Sequence, residues 1–212
     1  MTTVIFIRHG QSDCNLTRHF AGQIDEKLTD LGRAQAQSAA KALQKFPITR
    51  IYASPLSRAT NTAKPTAELL GLEITPEPGL CEIAAGAWEG LAYEEIAEKY
   101  PEEFDHLHGD VSLLQPPNGE SMRHLFDRVT TCVARLAAEN RGGCIALFSH
   151  AMPLRSMICL WNGIPFSEIG TVHGGPNASI TVAEYDDDLN CHIVQMPDSS
   201  HLETVTALPM GL

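Results

Sequence analysis

Three short apolar runs in this chain each end in groups able to handle an anion. Arg8-His9-Gly10 follows the first, Ser54 to Arg58 follows the second, and Ser149-His150-Ala151 follows a later one. Two arginines and two histidines brought to one place suit a phosphoryl group. A phosphomonoester carries about two negative charges near neutrality, spread over three oxygens. Guanidinium forks match those oxygens bidentately and stay charged. Arg8, Arg58 and His150 can therefore neutralise the ester without a metal, which lets a neutral imidazole attack phosphorus directly. The departing alkoxide then needs a proton. A carboxylic acid with a raised pKa gives one and later takes one from the hydrolytic water. Glu82, at the start of an acidic stretch rich in Pro and Gly, is the candidate.

Those groups must be positioned by the elements around them. Thr3 to Ile7, Arg50 to Ala53 and Cys144 to Phe148 read as buried strands. Gly10 to Lys27 reads as loop. Thr29 caps an expected helix from Asp30 that ends before Pro47. Ser54-Pro55 reads as a helix start, with Ser as cap and Pro in the first turn; that helix ends at Gly71. Glu73 to Thr75 reads as a further strand. Ser121 to Asn140 carries Leu125, Val129, Val133 and Leu136 on one helical face, and Met152 to Trp161 is another helix. Ile180 to Glu184 and Cys191 to Gln195 read as the final strands. The stretch from about 83 to 117 reads as a lid insertion with one short helix near Tyr93 to Tyr100. Strands alternating with helices predict an α/β three-layer sandwich, a mostly parallel central sheet with helices on both faces, over a single domain spanning 1–212. In such sheets ligands sit beyond the carboxyl ends of the strands, where all three motifs fall.

Composition excludes other classes. The chain has 212 residues, with 15 Lys+Arg against 26 Asp+Glu and a net charge of −11. That balance argues against nucleic acid or an anionic membrane as partner. No apolar run approaches the ~20 residues a membrane helix requires. The six cysteines are scattered without a C-x-x-C pair. With no secretory signal visible they read as reduced thiols, and the expected compartment is the cytoplasm. His106 and His108 lack convincing metal-ligating companions, and no metal or other cofactor is expected. The first strand is not followed by G-x-G-x-x-G, and no G-x-S-x-G elbow is present, which sets aside dinucleotide-dependent oxidoreductases and acyl hydrolases.

The ordered motifs resemble those of the histidine phosphatase superfamily, the phosphoglycerate-mutase-like proteins. They are Ile7-Arg8-His9-Gly10-Gln11-Ser12 with Asn15, Gly22-Gln23, Leu28-Thr29-Asp30-Leu31-Gly32, Tyr52-Ala53-Ser54-Pro55-Leu56-Ser57-Arg58-Ala59, Leu80-Cys81-Glu82, Gly86-Ala87-Trp88-Glu89-Gly90 and Phe148-Ser149-His150-Ala151. The resemblance implies His9 as the phosphorylated nucleophile and Arg8, Arg58 and His150 as phosphoryl ligands. It implies Glu82 as proton donor and acceptor, and Asn15, the Gly22-Gln23 turn and Ala151 as further substrate contacts. Trp88 is expected to be core.

The superfamily also contains mutases, which must hold a second anionic group. Lys99 is the one Lys or Arg between Glu82 and Glu120, and Lys64 the one between Ala59 and Cys81. So poor a supply of cations predicts a phosphatase acting on a small phosphorylated metabolite with a neutral or modestly polar body. Sugar phosphates, nucleotides and the ribazole phosphate of cobalamin assembly all stay open. The alternatives are a phosphoglycerate-mutase-type transferase and a non-catalytic phospholigand-binding protein. The apolar strand at Ile180 to Ala183 offers an edge through which two copies could form a homodimer.

Overall fold

A computed structural model describes residues 1–203 and residue 205; the rest of the expected 1–212 span lies outside the described residues. In chain order the main elements are β1 (Thr2–Arg8), α1 (Asp13–Thr17), α2 (Asp30–Leu43), β2 (Arg50–Ala53), α3 (Ser57–Leu70) and β3 (Ile74–Pro76). These are followed by α4 (Tyr93–Lys99), α5 (Pro101–His108), α6 (Met122–Glu139), β4 (Cys144–Ser149), α7 (Ala151–Trp161), β5 (Ile180–Tyr185) and β6 (Cys191–Asp198).

The six strands form one sheet in the order β3-β2-β4-β1-β5-β6. The first four in that order pair in parallel, β5 is antiparallel to β1, and β6 is antiparallel to β5. The β-branched runs of β1 and β4 are buried on both faces because alternate side chains enter different layers. Val4, Phe6, Ile145 and Leu147 pack with Leu125, Val129 and Leu136 of α6 and Leu154 and Met157 of α7. Ile5, Ile7, Ala146 and Phe148 pack with Leu43 of α2 and Ala63 and Ala67 of α3. This is the expected three-layer arrangement. Trp88, Ile96, Val111 and Leu114, from the stretch expected to be a lid, are fully buried in the same cluster as α6. Trp88 is core, edge-on to Phe20 at 5.4 Å.

Four local expectations are corrected. The 10–27 loop contains α1, where the Asn15 side-chain carbonyl accepts from the Ser12 amide and pins a single turn. Helix α3 starts at Ser57, not at Ser54-Pro55. Its first amides are served from a distance, with the Asp25 carboxylate accepting from Ser57 N at 2.7 Å and Ser57 Oγ at 2.9 Å. The insertion carries two helices where one was expected. Pro101 bars the helical conformation at Tyr100, which sits at φ −137°, and then serves as the first residue of α5. Finally, β5 is no edge: it lies between β1 and β6, so its backbone groups are already paired.

All six cysteines are free. Among the described residues no helix is long and apolar enough to cross a membrane.

Candidate active site

Parallel register carries the three motifs to one sheet edge. Arg8 is paired with Ser149, and Ala53 with Phe148, so the residues after β1, β4 and β2 emerge side by side. His9 N donates to Ser149 O at 2.9 Å, and Ser54 N donates to Phe148 O at 2.9 Å. The His9 and His150 rings lie 5.1 Å apart between centroids. Helix α2 is clamped against this corner, because a Cβ on Gly32 would fall 2.0 Å from the Gln11 carbonyl oxygen.

His9 is 4% exposed, and its Nδ1 sits 2.7 Å from the carbonyl oxygen of Gly10. A carbonyl only accepts, so Nδ1 carries the hydrogen and Nε2 keeps the lone pair. Burial, reinforced by the charges of Arg58 and Arg8, holds its pKa well below the ordinary imidazole range. The ring is therefore neutral near pH 7. His150 is also pushed well down, first by burial and then by Arg58. Its Nε2 pairs with Ser54 Oγ at 2.8 Å, and its buried Nδ1 has no protein partner. Ser54, expected as a helix cap, thus orients the second imidazole.

Arg58 is 1% exposed, which rules out a surface ion-pair role. Its Nη1 and Nη2 donate to Ile24 O at 2.8 Å and Gly22 O at 2.7 Å, and its Nε lies 3.7 Å from Glu26 Oε1. Glu26 in turn accepts from Ser12 Oγ at 2.7 Å and Cys14 N at 2.6 Å, tying the loop to the arginine. Arg8 donates from Nη1 to Gly175 O at 2.5 Å, and its buried Nε is unpartnered.

Glu82 is 9% exposed at the N-terminus of α7. Its Oε1 accepts from Ile83 N at 2.9 Å, while Oε2 accepts from Ala151 N at 3.2 Å and Met152 N at 3.4 Å. Burial nevertheless outweighs these donors and the arginine charges, so its pKa is raised. The acid form persists to higher pH than for a free carboxyl. The backbone around Glu82 is held by Arg128, which donates to the carbonyls of Gly79, Cys81 and Glu82 and pairs with Glu120 at 2.7 Å.

Arg8, His9, Asn15, Gly22, Arg58, Glu82 and Ala151 all line one cavity of about 90 Å³. Asn15 Oδ1 accepts from Asn177 Nδ2 at 3.0 Å as well as from Ser12, which leaves its own amide hydrogens for a ligand. Gly22 adopts φ +51°, and a Cβ there would sit 2.6 Å from that of Ala85. Gln23 does not reach this wall: its Nε2 donates to the Glu82 carbonyl at 2.9 Å, and so it braces the acid from behind. His19, Phe20, Ala21, Tyr93 and Met152 complete the lining and were not singled out from sequence. His19 and Tyr93 lie next to each other because Phe20 N bonds to Leu91 O and Tyr93 N to Arg18 O, a pairing no local pattern announces. Among the described residues no group of three or more His, Cys, Asp or Glu is placed to hold a metal ion.

A sheet edge with a fixed-tautomer histidine inside an arginine-lined, phosphoryl-sized cavity defines a phosphate-handling α/β protein. Residues 4–198 match the model of the histidine phosphatase superfamily (branch 1), and the chain belongs to that family. It is 29% identical over 209 residues to phosphoserine phosphatase 1 of Hydrogenobacter thermophilus, covering 95% of this chain and 99% of the relative. It is 34% identical over 176 residues to the 2,3-bisphosphoglycerate-dependent phosphoglycerate mutase of Bartonella henselae, covering 79% and 84%. Among solved structures, the mycobacterial glucosyl-3-phosphoglycerate phosphatase in complex with VO3 superposes with a TM-score of 0.85 at 28% identity, covering 93% of this chain and 99% of that one.

Proposed function

We propose that the protein is a metal-independent phosphomonoesterase that hydrolyses a small phosphorylated metabolite through a phosphohistidine. The observation that carries this reading is the pairing of a bare His9 Nε2 with a buried Glu82, its pKa raised by burial, in one arginine-lined cavity. Arg8, Arg58, the His150 Nδ1, the Asn15 amide and the Gly22 backbone hold the phosphoryl oxygens. His9 Nε2 attacks phosphorus as the ester P–O bond breaks, and Glu82 delivers its proton to the departing alkoxide. Water then attacks the phosphohistidine, Glu82 recovers a proton, and the P–N bond breaks to release inorganic phosphate. The two guanidinium groups supply the charge neutralisation that a metal would otherwise provide. Lys99, the one lysine of the insertion, lies on the surface against Glu95 at 3.4 Å and adds no cation to the cavity. Relatives named for phosphoserine and glucosyl-3-phosphoglycerate hydrolysis support a small phosphate ester as substrate.

The test is acid-quench trapping with a labelled monoester, run with and without chelator. A label on the wild-type protein that is absent from His9→Ala, together with turnover indifferent to EDTA, is the expected result. A well-folded protein that binds phosphate but never becomes labelled is instead a phospholigand-binding protein. Efficient interconversion of 2- and 3-phosphoglycerate with negligible hydrolysis assigns it to the mutases.

A further inference from the structure

One buried acid beside the phosphoryl cavity takes no part in the chemistry assigned above. Glu26 is 8% exposed and does not line the cavity, so it reaches neither the substrate nor the reacting atoms. It sits behind Arg58 instead, with Oε1 3.7 Å from Nε. That Nε makes no hydrogen bond, so the carboxylate acts on the guanidinium by charge and not through a shared hydrogen. Its hydrogen bonds are made elsewhere. Oε1 accepts from Ser12 Oγ at 2.7 Å, and Oε2 accepts from Cys14 N at 2.6 Å. Both donors belong to the turn whose Asn15 lines the cavity.

A negative charge in this place works against anion binding, because it subtracts from the positive potential that Arg58 offers. A hydrolase gains from that subtraction. Inorganic phosphate carries the same phosphoryl oxygens and about the same two charges as the ester, so whatever grips one grips the other. Holding substrate and product equally tightly does not speed the chemical step, and it slows the departure of product.

We propose that Glu26 is a positioning residue that fixes Arg58 and, through its charge, loosens the hold of the cavity on inorganic phosphate. This rests on the phosphatase reading above and adds to it a determinant of product release.

Glu26→Gln isolates the charge. The amide oxygen can accept from Cys14 N, and the amide NH2 can donate to Ser12 Oγ, whose own proton turns to Asn15 Oδ1 at 3.0 Å. Every partner stays satisfied while the negative charge is lost. A charge within about 4–6 Å changes the proton affinity of a group by about 10- to 1,000-fold; phosphate lies on the far side of the guanidinium, so the lower end applies. The Kd of inorganic phosphate, measured by calorimetry, should therefore fall about tenfold in Glu26→Gln, and the Ki for product inhibition of monoester hydrolysis should fall with it. Glu26→Asp keeps the charge and should stay closer to wild type than to Glu26→Gln. Loss of a merely structural contact would weaken phosphate binding, so the sign of the change decides. Unchanged or weaker phosphate binding in Glu26→Gln, or equal tightening in Glu26→Asp, overturns the proposal. Failure of the phosphatase reading is separable, because the calorimetry needs no turnover. Tighter phosphate binding in Glu26→Gln, in a protein that no labelled monoester ever modifies, sustains the charge effect and refutes hydrolysis.

Discussion

Replacing Glu82 by glutamine separates proton delivery from positioning, and the geometry says how much of each to expect. The carboxylate accepts on both oxygens, from Ile83 N on one side and from Ala151 N and Met152 N on the other. Glutamine has one accepting oxygen and one NH2 group, so in either orientation the amide hydrogens confront a backbone N–H. One buried donor is left unsatisfied, which costs about 1–3 kcal/mol. For a domain of this size that corresponds to a fall in Tm of roughly 2–12 °C. The catalytic loss is of a different kind. Losing a general acid typically costs about 10²–10⁴-fold, but only where the leaving group needs a proton. An alkyl monoester should therefore lose about that factor in kcat/KM, whereas 4-nitrophenyl phosphate, whose phenolate departs unaided, should lose no more than about tenfold. The assay is steady-state kinetics on both esters in wild type and Glu82→Gln, with thermal melts alongside. Equal losses on the two esters would mean that the substitution merely displaces the site, and the assignment of Glu82 as acid would fail.

Arg128→Met removes the clamp on the Gly79, Cys81 and Glu82 carbonyls, and should reproduce the same alkyl-selective loss at smaller amplitude; a non-selective loss would show that Arg128 only supports the fold. His9 and His150 have lowered pKa values, so below the ordinary value of 6.5 the unfolded chain takes up protons before the native one and stability falls on acidification. In urea titrations the stability of His9→Ala relative to wild type should accordingly rise as pH drops below 6.5, and a pH-independent difference would contradict the buried neutral state. Leu147→Ala empties a fully buried position of the central strand and should lower unfolding free energy by about 2–5 kcal/mol in denaturant melts; less than 1 kcal/mol would mean the layer relaxes to fill the void.

Much of this site could be read from local rules. Apolar runs buried on both faces need no context to be strands, and the groups directly behind them must emerge at the carboxyl edge of a parallel sheet. Arg8, His9 and Arg58 sit in the cavity where that rule puts them, with the His150 ring beside that of His9, and Glu82, at the start of the insertion, lines the same cavity. What escaped was assembled from afar. Asp25 serves the first turn of α3 across 32 residues, displacing the local cap suggested by Ser54, and Ser54 was free to orient His150. Gln23 faces the back of Glu82 because Arg58 bends the 22–24 turn by gripping both of its carbonyls.

The order and nature of the groups at the candidate site was thus written in the chain itself, since strand burial and the types of side chain at strand ends are properties of neighbouring residues. Which imidazole nitrogen stays bare and which carboxyl has its pKa raised were decided by packing alone. Tautomer, desolvation and partner choice all depend on atoms that meet only when the loop of 142 residues between β1 and α7 has been closed.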